Sequence, residues 1–524
     1  MKYSYNIALC SGLVLAFNLN AKTYQRPNII HIMCDDHAFQ AISAYGSAVS
    51  KLAPTPNIDR LANEGMIFQR AYVENSLSAP SRATLLTGLY SHQHGQKTLG
   101  KGFDERLPVF PELLQKSGYQ TSIFGKWHLG CEPKGFDDYK ILLDQGDYYN
   151  PEFKSKDSDG KYVREEGYAT TLITDYALNW LSNRDKKKPF CLMLHQKAPH
   201  RNWMPEEKYL NLFNDVEFPY PSTLYDNYAT RSDAAKTQEM SILKDMTYAY
   251  DLKIDQLADS GDSPALVRYW EKIKKRMNPA QENAWVEAYR KQNNDFVTAK
   301  LKGEDLLKLK YQRYMRDYLR CVKSVDDQVG RVLNYLEKEG LLNNTIIVYT
   351  SDQGFYLGEH SWFDKRFMYE ESFRTPLIIR YPKMIKKGLV NTDLVQNIDF
   401  APTYLELAGL KSTNLPGLSL VPLFKSKTPL SWRDELYYHY YDYPGAHSVR
   451  KHEGVSTKRY KLIHFYGEGY GKDKGKNIDA WELYDLVNDP NELNNIAENT
   501  SYQDELNNMK VRLSKKRTAL NIKE

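Results

Sequence analysis

The chain of 524 residues is 41% hydrophobic and 26% charged, with a formal net charge of +5 spread over 71 basic and 66 acidic residues. That is enough apolar material for one large domain and a smaller companion, and the interspersed charge lacks the basic block that marks a nucleic-acid-binding surface. Its 40 tyrosines and 8 tryptophans supply flat faces that suit sugar rings but also fill cores.

The first residues read as an export signal. Lys2 gives a short positive start, Ile7 to Phe17 is apolar, and Leu19-Asn20-Ala21 ends on a small residue suited to cleavage. The apolar run is too short to span a membrane, and no other stretch qualifies. Cys10, behind Leu9, fits a lipoprotein cleavage box badly. The expectation is a signal peptide over 1–21 and an exported, periplasmic chain that begins near Lys22. The cysteines left, Cys34, Cys131, Cys191 and Cys321, are few and far apart, so buried thiols are expected rather than a disulfide framework.

Asn28 to Cys34 is a near-continuous apolar run, the pattern of a strand buried on both faces of a parallel sheet. It ends in Asp35-Asp36, adjacent carboxylates that repel each other unless a cation lies between them; a strand-ending turn with an aspartate cap is the alternative. Thr55 to Leu61 starts a helix, and Met66 to Val73 leads to Ser78-Ala-Pro-Ser-Arg-Ala-Thr-Leu-Leu-Thr-Gly88. That stretch sets a small side chain before a helix whose first turn tolerates Pro80. Arg82 lies one turn on and can fold back over Ser78, and the free amides there favour an anion. Taken alone, it also reads as a serine N-cap on a buried helix.

Pro111 to Ser117 reads as helix, and Thr121 to Gly125 as a buried strand followed at once by Lys126, Trp127 and His128. Pro189 to Leu194 repeats the strand pattern ahead of Ala198-Pro199-His200. Residues 233–341 form a charged helical insertion or surface layer, mostly scaffold, whose last helix runs from about Tyr311 to Glu339. Thr345 to Tyr349 is a further strand ending in Ser351-Asp352-Gln353-Gly354, and Pro376 to Arg380 is a fifth, preceded by Lys365. After a helix over Asp399 to Leu410 comes a tyrosine-rich region with a hairpin over Val455 to Phe465 and a final helix. The expected fold is α/β: a large mixed, mostly parallel sheet between helices over 22–426, then a C-terminal subdomain with an antiparallel sheet over 427–524.

Four apolar strands are thus each followed by ionisable residues, and in open α/β sheets the ligand crevice lies outside the carboxyl ends of the strands. Together they point to one site. Asp35, Asp36, Asp352 and Gln353 offer oxygen donors only, which suits a hard divalent cation such as Ca²⁺ or Mg²⁺.

Ser78-x-Pro-Ser-Arg82 with Ala83, Leu86, Thr87 and Gly88 resembles the signature of the type I sulfatases, and the likeness extends over nearly the whole mature chain. It implies an alkaline phosphatase-like fold and a Ser78 oxidised by a maturation enzyme to formylglycine (3-oxoalanine). It also implies one cation, calcium by family expectation, held by Asp35, Asp36, Asp352 and Gln353. By the same resemblance Arg82, Lys126 and Lys365 hold sulfate, His128 takes a proton from the hydrated formylglycine, and His200 serves the leaving oxygen. Asp364 and Arg366, beside Lys365, and His447 and His452, in the polar loop Asp442 to His452, are candidates for gripping sugar hydroxyls; pairing within the protein and a solvated loop are the alternatives. The stretch from Ser351 to Tyr381, with the tyrosine-rich stretch before Lys461, is similar to exported bacterial sulfatases of 6-sulfated N-acetylglucosamine in heparan, heparin or mucin fragments. Two rivals stand beside this reading: a phosphoester hydrolase of the same superfamily using unmodified Ser78, and a glycan-binding protein with a degenerate site.

Overall fold

The computed structural model describes residues 26–100, 102–255, 261–411, 414–425 and 427–523; the expected signal peptide lies outside the described residues. Twelve strands of the main body are, in chain order, β1 (Asn28–Cys34), β2 (Met66–Phe68), β3 (Ala71–Tyr72), β4 (Gln120–Gly125), β5 (Asp138–Leu142), β6 (Glu152–Ser155), β7 (Val163–Arg164), β8 (Phe190–Gln196), β9 (Thr345–Ser351), β10 (Leu377–Arg380), β11 (Leu389–Asn391) and β12 (Val395–Gln396). Ten of them form one sheet in the order β11-β2-β10-β9-β1-β8-β4-β5-β6-β7, while β3 and β12 pair separately. The centre, β9-β1-β8-β4-β5, is parallel throughout.

Alternation along the strands sends side chains to both faces, and both are covered. Ile30, Ile32, Leu192, Leu194 and Ile347 share a core with the helices Pro56–Asn63, Ala169–Asn183 and Gly303–Lys338. Ile29, Met33, Ile123, Met193 and Val348 share the other with the helices Ser78–Thr87, Phe110–Lys116 and Phe400–Leu407. Burial on both sides is why these strands read as unbroken apolar runs. The helix expected from about Tyr311 begins earlier, at Gly303, and buries residues along its whole length rather than forming a solvated layer.

Register decides where the functional residues fall. Cys34 pairs with Gln196 on one side and with Ser351 on the other, and Gly125 pairs with His195. The strands therefore stop level with one another, and the residues that follow leave the sheet from one edge. Gly125 has φ +104° and a Cβ there would meet the His195 carbonyl oxygen at 1.9 Å, so the closeness of β4 to β8 at this edge requires glycine. β10 runs antiparallel to β9 and β2. Its N-terminal end thus lies at the edge where the parallel strands end, which explains why Lys365 precedes its strand while the other candidates follow theirs.

Beyond residue 427, β13 (Glu435–Tyr440), β14 (His452–Thr457), β15 (Tyr460–Glu468) and β16 (Asn477–Asp485) make an antiparallel sheet in sequence order. It packs on the main body through Tyr438, Tyr440, Trp362, Phe367 and Tyr369. No helix among the described residues is long and apolar enough to cross a membrane. Cys34, Cys191 and Cys321 are buried free thiols, and Cys131 is a half-buried one.

Candidate active site

Ser78 opens the helix Ser78–Thr87, but it does not cap it. The N-cap is Leu77, with no side-chain bond to the helix, and the Ser78 hydroxyl instead donates to Asp35 Oδ1 at 2.9 Å. This excludes the serine-cap alternative. Arg82, one turn on, reaches the same place: its Nη2 lies 3.0 Å from Asp352 Oδ2 and 3.9 Å from Asp35 Oδ1, and its Nη1 donates to the Lys126 carbonyl at 2.8 Å.

The strand ends supply the rest. Lys126 Nζ donates to Asp35 Oδ2 and, at 2.6 Å, to Gln145 Oε1. Lys365 Nζ donates to both oxygens of Asp36 at 2.7 Å. His200 Nδ1 donates to the Arg201 carbonyl at 2.6 Å, which leaves Nε2 turned toward Asp36 Oδ2 at 3.7 Å. Gln145 Nε2 donates to His128 Nε2 at 2.9 Å. Asp36 and His128 hold left-handed backbone, as do Asp364, Arg366 and His447 in the rim; such conformations persist in non-glycine residues where the surroundings impose them.

Asp35, Asp36, Asp352 and Gln353 fit a hard cation. Burial and the neighbouring carboxylates push the Asp36 and Asp352 acids up, which is the repulsion a cation would relieve. Burial also opposes ionisation of Asp35, but Lys126, with Arg82 and Lys365, draws it well below the usual carboxylate range. Gln353 Nε2 donates to Asp36 Oδ1, and its Oε1 is buried without a hydrogen-bond partner. An unpartnered carbonyl oxygen beside three carboxylates matches the oxygen-rich shell of Ca²⁺ or Mg²⁺. Ligating atoms of Asp35, Asp36 and His200 also lie within 4.8 Å of one another.

Burial lowers the pKa of both His128 and His200 well below that of free imidazole, with Lys126 adding to the effect. A neutral ring is ready to act as a base; an acid role for His200 needs an anion beside Nε2 to favour the protonated form.

The four rim candidates divide. Asp364 Oδ1 accepts from Arg366 Nε at 3.0 Å, and its Oδ2 lies 3.4 Å from His447 Nε2. Arg366 Nη1 stands 3.6 Å from Asp442 Oδ2. His447 in turn lies 3.5 Å from Arg201 Nη1, and Arg201 is held in bidentate fashion by Asp251. These three candidates thus form one polar wall, in which Asp364 and Arg366 pair with each other, the alternative weighed against a grip on sugar hydroxyls. His452 does not join them. It is fully buried, its Nδ1 donates to the Arg450 carbonyl and its Nε2 accepts from the Met368 amide. Its ring lies against Tyr438, Tyr440, Phe367 and Phe465. With both nitrogens satisfied it has no atom left for a sugar, so the expectation for His452 is corrected to packing.

Gln145, Lys197 and Arg201 lie outside the motif, and no pattern in the sequence marks them. With His200, Tyr250 and Tyr269 they line a cavity of about 40 Å³ at the mouth of the site. Tyr250 and Tyr269 come from the region expected to be mostly scaffold. A larger cavity, about 490 Å³, opens beside His128 and is lined by Trp127, Cys131, Lys154 and Tyr162. A further cavity, about 770 Å³, contains none of the candidate residues.

The family model described as "Sulfatase" matches residues 27–410, and one described as "N-sulphoglucosamine sulphohydrolase, C-terminal" matches 358–519. The chain is 50% identical, over 94% of its length and 86% of the relative's, to an N-acetylglucosamine-6-O-sulfatase of Bacteroides thetaiotaomicron. A solved structure in complex with its substrate D-glucosamine-2-N,6-O-disulfate superposes with a TM-score of 0.89 at 48% identity, covering 95% of this chain and 98% of that one. A phosphonate monoester hydrolase of Agrobacterium radiobacter shares the fold, with a TM-score of 0.66 at 20% identity over 94% and 96% of the two chains.

Proposed function

The chain belongs to the sulfatase family, and from that premise we propose that it removes the 6-O-sulfate of N-acetylglucosamine units in glycosaminoglycan (heparan or heparin) or mucin fragments. It is a sulfuric ester hydrolase acting on sulfated sugars. The observation that carries the site reading is the convergence of Ser78, Asp35 and Arg82 with Asp352, which lies 270 residues from Arg82 in the chain.

Oxidised to formylglycine by a maturation enzyme and hydrated, residue 78 supplies a hydroxyl nucleophile for the ester sulfur. Asp35, Asp36, Asp352 and Gln353 would hold the divalent cation, calcium by family expectation, which lowers the cost of the charged nucleophile and of charge on the sulfate oxygens. Arg82, Lys126 and Lys365 bring three fixed positive groups to the transferring sulfate, oriented before the reaction rather than during it. Burial works against the Lys365 charge, but Asp36 and Asp364 more than offset it and raise its pKa, so it stays an ammonium. His200 Nε2 serves the departing sugar oxygen. His128, neutral by burial, accepts the proton whose loss frees sulfate and restores the aldehyde. Asp364, Arg366 and His447 are the sugar-gripping wall. The apolar segment ahead of Ala21 supports export, and we read 22–426 as the catalytic domain and 427–524 as a C-terminal subdomain.

A panel of sulfated mono- and disaccharides scored for free sulfate tests the substrate. Fastest release is expected from 6-sulfated N-acetylglucosamine at a non-reducing end, and a preference for 2-, 3- or 4-sulfated sugars overturns that assignment. Intact mass of the Ser78 peptide tests the nucleophile: loss of two hydrogens is expected, and unmodified serine in active enzyme favours a phosphoester hydrolase.

A further inference from the structure

Gln145 lies on the loop between β5 and β6, and its three polar groups take three different basic residues of the site. Oε1 accepts from Lys126 Nζ at 2.6 Å, Nε2 donates to His128 Nε2 at 2.9 Å, and the main-chain carbonyl accepts from Lys197 Nζ at 3.2 Å. The orientation of the amide is forced. An ammonium only donates, so the oxygen faces Lys126 and the NH₂ falls to His128. His128 Nε2 is then the acceptor, and the neutral ring carries its proton on Nδ1, which is buried and has no hydrogen-bond partner.

The loop is built to keep this side chain in place. Asp144 and Gly146, on either side, have φ of +48° and +72°, and a Cβ on Gly146 would meet the Leu142 side chain at 2.7 Å. The Lys197 ammonium, itself buried, pins the carbonyl between them.

We propose that Gln145 is a positioning residue for sulfate transfer, an inference that rests on the sulfatase reading above. It keeps Nε2 of His128 a lone-pair acceptor, so the ring enters each turnover as a base, and it fixes the Lys126 ammonium in the same act. The neutral amide bond to Nε2 is one that an incoming hydroxyl can replace. The charged groups that bear on His128 are Lys126, Arg82 and Lys365, which oppose its protonation, and Asp35 and Asp144, which favour it. Asp144 stands 3.6 Å from Nε2 but is largely exposed and screened by water.

The Gln145→Glu variant separates this role from simple packing, because it keeps the shape and the acceptor for Lys126 but puts an acceptor against Nε2. That pairing draws a proton onto Nε2. The acid limb of the kcat profile is expected to move up by about one pH unit or more, with kcat at pH 7 falling about 10- to 100-fold and KM changing little. Gln145→Ala should lower kcat without raising that limb. Long-range ¹H–¹⁵N spectra of histidine-labelled protein give a readout that needs no turnover: His128 protonated on Nδ1 alone in the wild type, and on Nε2 in the glutamate variant. Sulfate release by the wild type, measured alongside, tests the sulfatase reading separately. An Nε2-protonated His128 in the wild type, or an acid limb that stays put in Gln145→Glu, overturns the proposal.

Discussion

The main sheet and the small C-terminal sheet both bring polar residues toward the site, and they do so by different rules. In the main sheet the central strands are parallel and end level, so Asp35, Lys126, His200 and Asp352 arrive at one edge whatever their separation in sequence. The C-terminal sheet is antiparallel, with strand ends alternating between its two edges and successive residues alternating between its faces. There, nearness in sequence to a good candidate means little. His447 sits in the turn before β14 and joins the polar wall, while His452, five residues on, is the first residue of β14 and points into the aromatic core.

The same contrast ranks the expected effects of mutation. Changes at the parallel strand ends and at the helix they face should remove chemistry. Ser78→Ala removes the proposed nucleophile, and sulfate release should fall by roughly 100,000-fold or more while the fold is kept, as judged by circular dichroism. Removing the cation with a chelator, or Asp352→Asn, should cost on the order of 1000-fold in kcat, with calcium restoring the chelated wild type but not the variant. Full activity in chelator would break the reading of Asp35, Asp36, Asp352 and Gln353 as a cation site.

Changes in the wall fed from the segment before β10 should act on binding. Arg366→Ala leaves the buried Asp364 with His447 and Lys365 as the remaining neighbours that hold its pKa low and keep it ionised. The loss of a charged grip should raise KM for the sugar sulfate about 10- to 100-fold, with a smaller effect on kcat. Inhibition by free sulfate should change little if Arg366, as proposed, grips the sugar and not the sulfate. An equal loss in sulfate affinity would move Arg366 into the sulfate cluster.

How much the sequence revealed follows the same division. Buried parallel strands are legible because burial on both faces leaves an unbroken apolar run, and the residue after such a run has only one place to go. Lys365 could be matched only by its resemblance to a family lysine; the antiparallel β10 explains why it sits before its strand. Gln145 was illegible because its role depends on left-handed backbone at Asp144 and Gly146, which no pattern of side chains announces. Arg201 was illegible for another reason: it is oriented by Asp251, fifty residues away in a region whose composition reads as helical scaffold.

The smallest effects offer the sharpest test of the comparison, since they set two histidines of one segment against each other. His447→Ala removes a ring that touches Asp364 and Arg201, and KM should rise by about 3- to 10-fold with the melting temperature nearly unchanged, because the residue sits in a turn. His452→Ala should do the opposite. It leaves the Met368 amide and the Arg450 carbonyl without partners and opens a space among four aromatic rings, which together cost about 2–4 kcal/mol and lower the melting temperature by several degrees. KM at a temperature where the variant is folded should match the wild type. If His452→Ala raised KM without lowering the melting temperature, the buried face of β14 would have to turn toward the substrate, and the distinction between the two sheets would fail at that point.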